Sequence, residues 1–150
     1  MSLAHVRAEN FRQFSSLSLR PHRRLNLILG ANAAGKTSLL EVLYTLGRAK
    51  SFRGNSPADL AGPQAKHWWV SGKQEKDDQP ACMLGVKWMA GETMIRYGQA
   101  YTATADLVRA LPVQILEPGM HRLLQEGPSY RRSFLDWGVF HVEHSFHDCW

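Results

Sequence analysis

Residues 30–37 read GANAAGKT, which fits the phosphate-loop pattern G-x-x-x-x-G-K-[ST] without a gap. The two glycines permit backbone angles that a Cβ would obstruct, so successive N–H groups can converge on phosphate oxygens. Lys36 brings a compact cation to the β- and γ-phosphates, and the Thr37 hydroxyl can ligate Mg²⁺. This stretch predicts a nucleotide-binding site on an α/β P-loop fold.

The segments on either side of the loop agree with this prediction. Residues 25–29 (LNLIL) form an apolar run that ends on Gly30, which predicts a buried strand stopping at the loop. Apolar residues then recur at helical spacing as far as Leu46. They predict a helix that begins at Lys36, has Gly47 as its C-cap, and aims its positive dipole end at the phosphates.

A β-rich layer is expected beside this helix, built from residues 1–24 and 66–102. Period-two alternation and short apolar runs predict its strands, with a polar hairpin tip at 73–79. The predicted strands outside the loop region lie at residues 5–9, 16–19, 68–70, 83–88, 93–97 and 113–116. A short helix is expected at 104–110 and another after Ser129, its predicted N-cap.

The composition is that of an ordinary globular domain or of one lobe of a larger protein. The chain has 150 residues, of which 44% are apolar and 21% charged. No apolar run approaches the roughly 20 residues that span a bilayer. No signal peptide is recognisable at the N-terminus, and two cysteines cannot form a disulfide framework. These features predict a soluble protein of the cytoplasm.

The charge distribution favours a polyanionic partner. The formal net charge is +5, and residues 1–24 carry five arginines against a single acid, Glu9. Arg131 and Arg132 add a second basic pair. The alternative is that these charges are solvated strand ends and a helix face.

The class of P-loop protein is narrowed by what the sequence lacks. Residues 59–62 spell D-x-x-G but follow no apolar strand, and no N-K-x-D occurs, which argues against a GTPase. A hydrolase needs a second carboxylate after an apolar strand to organise Mg²⁺ and water, and no such run is present. The sequence therefore contains half of an ATPase site.

Several segments together resemble a known family. They are NFRQF at residues 10–14, the phosphate loop and its preceding run, LLEVLY at 39–44, SFR at 51–53 and GPSYRRSFLDWG at 127–138. In this combination they resemble the N-terminal part of the RecF family, bacterial DNA replication and repair proteins of the SMC/ABC type. The resemblance implies an ABC/SMC-type ATPase lobe with a mixed sheet around the P-loop helix. It also implies that a helical lobe starts near residue 118 and that the C-terminal half lies beyond residues 1–150.

The same resemblance implies a function. It implies ATP and Mg²⁺ as cofactors, an ATP-dependent homodimer and weak DNA-dependent ATPase activity. It further implies binding to single-stranded DNA and single-strand/double-strand junctions, and assistance to RecO and RecR in loading RecA at gaps during recombination and the SOS response.

The implied site residues are those of the loop and its surroundings. Lys36 and Thr37 are the catalytic candidates, with Thr37 as the metal ligand. The nucleotide-binding candidates are Gly30, Ala31, Asn32, Ala33, Ala34, Gly35, Lys36, Thr37, Ser38, Arg12 and Arg53. A Q-loop residue is expected at Gln114 or Glu117.

Some of these assignments have a structural alternative. Arg12 and Arg53 suit bidentate contact with phosphate, but each could instead bridge a carboxylate. His141, His144 and His147 recur every three residues, which is compatible with a metal site but typical of a polar helix face. Two other functions stay open: a P-loop kinase or other phosphotransferase, and a non-catalytic nucleotide-binding fragment.

Overall fold

The computed structural model of the protein describes residues 1–54, 56–77, 79–116 and 128–143. Two compact units are distinguished along the chain, Met1–Val113 and Gln114–Trp150. The first unit contains the phosphate loop and all the strands that the structure describes. In the part of the chain described, no helix is long and apolar enough to cross a membrane.

The first unit is built on one six-stranded sheet in the order β2-β1-β3-β4-β5-β6. Each neighbouring pair of strands is antiparallel. Its strands are β1 (Ser2–Phe11), β2 (Phe14–Leu19), β3 (His67–Lys76), β4 (Gln79–Met89), β5 (Glu92–Tyr97) and β6 (Ala100–Tyr101). The phosphate loop and its helix fall between β2 and β3 in sequence. After this insertion the chain returns to the sheet on the other side of β1, which therefore bonds to β2 along one edge and to β3 along the other.

One face of the sheet packs on helix α1 (Lys36–Arg48). Alternate residues of the central strands, among them Val6 and Val70, lie in the core with Leu46 of the helix. Strand β3 allows the helix close access at Gly72: a Cβ placed there would lie 2.5 Å from Leu46 Cδ2. The helix that starts at the phosphate loop is thereby fixed against the middle of the sheet.

Two further α-helices and a one-turn 3₁₀ helix at Pro57–Leu60 complete the described structure. Helix α2 (Thr104–Ala110) buries Leu107 in the core and is tied to the sheet by Gln74, whose amide nitrogen donates to the carbonyl oxygen of Ala110. Helix α3 (Pro128–Val142) belongs to the second unit, and its Leu135 side chain is exposed.

Most of the predicted elements are confirmed. Five of the predicted strands, at residues 5–9, 16–19, 68–70, 83–88 and 93–97, coincide with β1 to β5, and the helices predicted from Lys36 and at 104–110 are present. Strand β3 continues to Lys76, into the tract predicted as a hairpin tip. The α/β fold class is confirmed, and the β-rich layer does lie beside the P-loop helix.

Two strand predictions are wrong. Residues 25–29 and 113–116 form no strand, and Leu25, Leu27 and Leu29 are each about four-fifths exposed. An apolar run becomes a strand only when a neighbouring strand satisfies its N–H and C=O groups. The described sheet ends at β2 and β6, and neither segment is paired with it.

The C-cap prediction at Gly47 is also wrong. Helix α1 continues to Arg48, and Ala49 takes the left-handed cap conformation with φ of 52°. Gly47 is buried inside the helix, where a Cβ would collide with the Val113 side chain. The glycine is therefore needed for close packing and does not end the helix.

We predict that Gly72→Ala lowers the free energy of unfolding by about 1–3 kcal/mol, because the added methyl must displace Leu46 in a filled core. Gly85→Ala is the matched control on the neighbouring strand. Its Cβ would meet no atom closer than 3.7 Å, so stability should be unchanged or slightly higher. Urea denaturation of both variants measures the difference, and equal effects would contradict this packing.

Candidate functional site

The phosphate loop turns tightly into helix α1. Ala33 and Gly35 both have left-handed backbone angles, with φ of 65° and 98°, and the Ala34 N–H donates to the Ala31 carbonyl at 3.3 Å. Gly35 is the N-cap, so no side chain caps the first turn, which also contains no acidic residue. The first amide groups of the helix have no intrahelical acceptor and carry the positive end of its dipole. This arrangement suits an anion.

Lys36 is folded over the loop. Its Nζ donates to the carbonyl oxygens of Gly30 and Ala31 at 2.7 and 2.6 Å. Both acceptors are neutral carbonyl oxygens. A charged phosphate oxygen forms a stronger hydrogen bond with an ammonium group and can therefore displace them. The ammonium group is thus held beside the loop in which a phosphate chain would lie.

An open cavity of about 510 Å³ lies at the start of helix α1. Its lining contains two cations, Lys36 and Arg53, and no acidic residue. The lining residues are Gln13, Asn32, Ala33, Gly35, Lys36, Thr37, Ser38 and Arg53. A cavity of this size, with cations and free amide groups on one side, fits a nucleoside polyphosphate.

Gln13 is a lining residue that was not predicted from the sequence. It lies in the β1–β2 turn, where its Oε1 accepts from the Ser38 hydroxyl at 2.5 Å. Its Nε2 lies 2.5 Å from where a Cβ on Gly35 would be, so the turn presses directly on the phosphate loop. The only sequence signal for this residue is its place in NFRQF, next to Arg12.

Beside the cavity, a fully buried carboxylate joins three segments of the chain. Glu41 in helix α1 accepts two hydrogen bonds from Arg12, from Nε at 2.8 Å and from Nη2 at 2.9 Å. It also accepts from the Ser51 hydroxyl at 2.5 Å, and that hydroxyl accepts from the Arg53 backbone N–H at 3.0 Å. Arg12 additionally donates to the Asp59 carbonyl oxygen at 2.8 Å. Glu41 thereby positions both the turn and the loop that border the cavity.

The charges in this cluster stabilise each other. Burial alone would raise the pKa of Glu41, but hydrogen bonds from Arg12 and Ser51, with the positive charges of Arg12 and Arg53, outweigh it and lower that pKa. The hydrogen bond to Glu41 raises the pKa of Arg12. The carboxylate is therefore ionised throughout the physiological range.

The structure brings together only some of the residues predicted for the site. Arg53 lines the cavity, as expected for a residue that contacts phosphate. Arg12 does not line it; its side chain forms an ion pair with Glu41, which is the structural alternative stated for this arginine. Of the loop, Gly30 and Ala31 contribute the carbonyls that hold Lys36, and Ala34 is outside the lining.

The remaining candidates lie elsewhere. Gln114 is exposed and follows the first unit, and His141 packs against the Trp137 ring. Glu117, His144 and His147 lie outside the described residues. Among the residues that the structure describes, no group of three His, Cys, Asp or Glu side chains could hold a metal ion.

Comparison with known protein sequences gives a consistent result. Residues 1–86 match the model of a family described as the AAA ATPase domain. The chain is 41% identical over its full length to the DNA replication and repair protein RecF of Stutzerimonas stutzeri, and 40% identical to that of Pseudomonas putida. It spans 41% of the length of each of these relatives.

Solved structures show the same similarity. A structure of the recombination mediator protein RecF with ATP matches 96% of this chain and 39% of its own, with a TM-score of 0.85 and 27% identity. The SMC head domain from Thermotoga maritima matches 71% of the chain with a TM-score of 0.55 at 19% identity, which shows a shared fold.

We predict that Glu41→Gln lowers the free energy of unfolding at pH 7 by about 1.5–3 kcal/mol, because charge-assisted hydrogen bonds from Arg12 and Ser51 are lost. The folded-state pKa of Glu41 is lowered, so its stabilisation is present above the unfolded value of about 4.3 and is lost as the pH falls below it. Urea denaturation at pH 7 and at steps down to pH 3 measures this. A parent–variant difference that stays constant over that range would contradict the ionised assignment.

Proposed function

Because this chain belongs to the AAA ATPase domain family and corresponds to an N-terminal portion of RecF, we propose that it binds ATP with Mg²⁺ at the phosphate loop and acts as an ATP-dependent DNA-binding protein. It would work in the cytoplasm, in replication and recombinational repair. The observation that carries the proposal is the cavity at the start of helix α1, which has two cations and no acid in its lining.

The residues present fit ATP and its metal. The first-turn amides of helix α1 and the Lys36 ammonium would hold the phosphates, and the exposed Thr37 hydroxyl would be the ligand for Mg²⁺. Arg53 lines the same cavity and adds a second cation. Bound Mg²⁺ would neutralise charge on the phosphates.

The wider role is proposed from the relatives. One similar structure is named as RecF with ATP in the RecFOR pathway. We propose, by this similarity, an ATP-dependent homodimer that binds single-stranded and junction DNA and assists RecO and RecR in loading RecA. The RecF relatives are more than twice as long as this chain, so these activities are proposed for the whole protein.

Hydrolysis would be weak and dependent on DNA. Within the described residues, no carboxylate lines the cavity to organise Mg²⁺ and an attacking water. A phosphotransferase would use the same loop, but its affinity for DNA should not depend on nucleotide.

We predict that Lys36→Ala weakens Mg-ATP binding roughly ten- to a hundredfold, since a charge-assisted phosphate contact is lost. Lys50→Ala is the matched control, because Lys50 is an exposed lysine just after the other end of the same helix. Titration with a fluorescent ATP analogue compares the three proteins. If the Lys36 variant binds as tightly as the parent, the phosphate-loop assignment is wrong.

We predict that ATP tightens binding of the protein to junction DNA and that Arg53→Ala reduces this gain, because Arg53 belongs to the ATP cavity. Affinity should fall steeply with salt in both proteins, as each phosphate contact releases counterions. Salt titrations with and without ATP give both quantities, and Arg53→Lys tests whether charge alone is enough. A parent whose DNA affinity is indifferent to ATP would contradict the proposed role and favour a phosphotransferase.

A further inference from the structure

The face of the sheet opposite helix α1, here called the outer face, presents every second residue of each strand. The strand register aligns these residues in rows that run across the sheet. One row is Ser18, Arg7, Ser71, Gly85, Arg96 and Tyr101. The neighbouring row is Ser16, Glu9, Trp69, Lys87 and Met94. Nothing else in the first unit's described elements packs on this face in the way that α1 packs on the other.

Cations crowd one half of the outer face. Arg7, Arg20 and Lys73 surround His5, whose ring nitrogen hydrogen-bonds to the Ser18 hydroxyl at 2.8 Å. Desolvation and then the three neighbouring positive charges lower the pKa of His5. The three cations beside His5 make the surface around it electropositive.

The other half of the outer face combines cations with aromatic rings. Lys87 and Arg96 lie beside Trp69 and Tyr101 around a shallow depression of about 380 Å³. Gly85 leaves its floor open. The Tyr101 side chain is 76% exposed, although an aromatic ring normally gains by burial. Exposed rings next to cations provide stacking surfaces for bases.

Three acidic residues of the described strands lie on this face, each at or near a strand end, and Glu9 shares a row with Trp69 and Lys87. Glu9 lies two residues from the end of β1, Glu75 one residue from the end of β3, and Glu92 begins β5. Glu9 approaches His67 at 3.8 Å and Glu75 approaches Lys73 at 3.7 Å. With Arg20 beside His5, the cations Arg7, Arg20, Lys73, Lys87 and Arg96 outnumber these three acids, so the face complements a polyanion.

The shape of the face selects between forms of nucleic acid. Six strands spaced about 4.8 Å apart make a face roughly 24 Å wide, whereas the major groove of duplex DNA is only about 12 Å wide. The sheet therefore cannot enter a groove, and bases inside a duplex offer no free surface to Trp69 or Tyr101. Unpaired bases do offer one.

We propose that the outer face binds single-stranded DNA, with Arg7, Lys73, Lys87 and Arg96 contacting phosphates and Trp69 and Tyr101 stacking on bases. The inference rests on the proposed DNA-binding role but uses no residue of the ATP cavity. The proposed binding site for the DNA strand is separate from the ATP cavity and is formed entirely by the β-sheet.

The test is fluorescence anisotropy of a labelled 20-nucleotide oligo(dT) and of a 20-base-pair duplex. We expect the protein to bind oligo(dT) more tightly. The double variant Lys87→Ala/Arg96→Ala should bind it at least tenfold more weakly, and its salt slope should fall by about 1.4, from about 0.7 for each lost phosphate contact. Lys50→Ala is the control, since Lys50 lies after helix α1 and away from the sheet's outer rows. It should bind as the parent does.

Stacking is tested separately at Tyr101, whose exposure on the edge strand makes the substitution compatible with folding. Tyr101→Ala should weaken oligo(dT) binding roughly fivefold to a hundredfold, whereas Tyr101→Phe keeps the ring and should bind nearly as the parent does. Circular dichroism checks that all variants are folded.

The outcomes separate this inference from the proposed function. If the parent binds oligo(dT) but the double variant and Tyr101→Ala bind it equally well, the outer face is not the site, although the DNA-binding role stands. A parent that prefers the duplex overturns the assignment to a single strand. If the parent binds neither DNA while still binding ATP, both the inference and the DNA-binding role fail.

Discussion

The buried carboxylate of Glu41 is the constraint on which the site depends. A carboxylate removed from water is strongly unfavourable unless its oxygens are paired, and here Arg12 and Ser51 supply the donors. Because the three residues come from a strand turn, a helix and a loop, pairing the charge also fixes those segments to one another. The turn carries Gln13 and the loop carries Arg53, both of which line the cavity. The ion pair lies outside the cavity, but it holds in place two of the segments that line the cavity.

Local pattern was enough to predict the parts of the fold whose partners lie nearby in sequence. The hairpins β1–β2, β3–β4 and β4–β5 follow from alternation and short turns, and α1 follows from its apolar spacing. Residues 25–29 have the pattern of a buried strand and yet are exposed, because burial of a strand is decided by a neighbour and not by its own residues. The C-cap prediction at Gly47 fails for a related reason: this glycine packs against Val113, 66 positions away, and no local pattern reveals that contact.

The residues of the candidate site also fall into two groups: those that the sequence pattern predicts and those that only tertiary packing brings to the site. Lys36, Thr37 and the loop glycines are recognisable because the chemistry of phosphate binding requires them at fixed spacing. Gln13 reaches the cavity only through the packing of the β1–β2 turn on Gly35, and the role of Glu41 depends on Arg12 at a separation of 29 residues. The roles of such residues depend on tertiary contacts. A single sequence therefore identifies Arg12 as a candidate site residue but does not identify Glu41 as its partner. The sequence alone is compatible with two roles for Arg12, a contact with nucleotide and an ion pair with a carboxylate, and the structure shows the ion pair.

Strand β1 connects the two surfaces to which functions are assigned here. Its Val6 and Ala8 face the core, while Arg7 lies on the outer face and Arg12, just past its end, binds Glu41. Because side chains alternate, a slip of one residue would bury Arg7 and expose Val6, and it would also move Arg12 away from its carboxylate. The register is thus held at both ends of the strand, by the core pairs and by the ion pair. A basic outer face and an ordered phosphate-loop cavity are therefore consequences of the same register, although they share no residue.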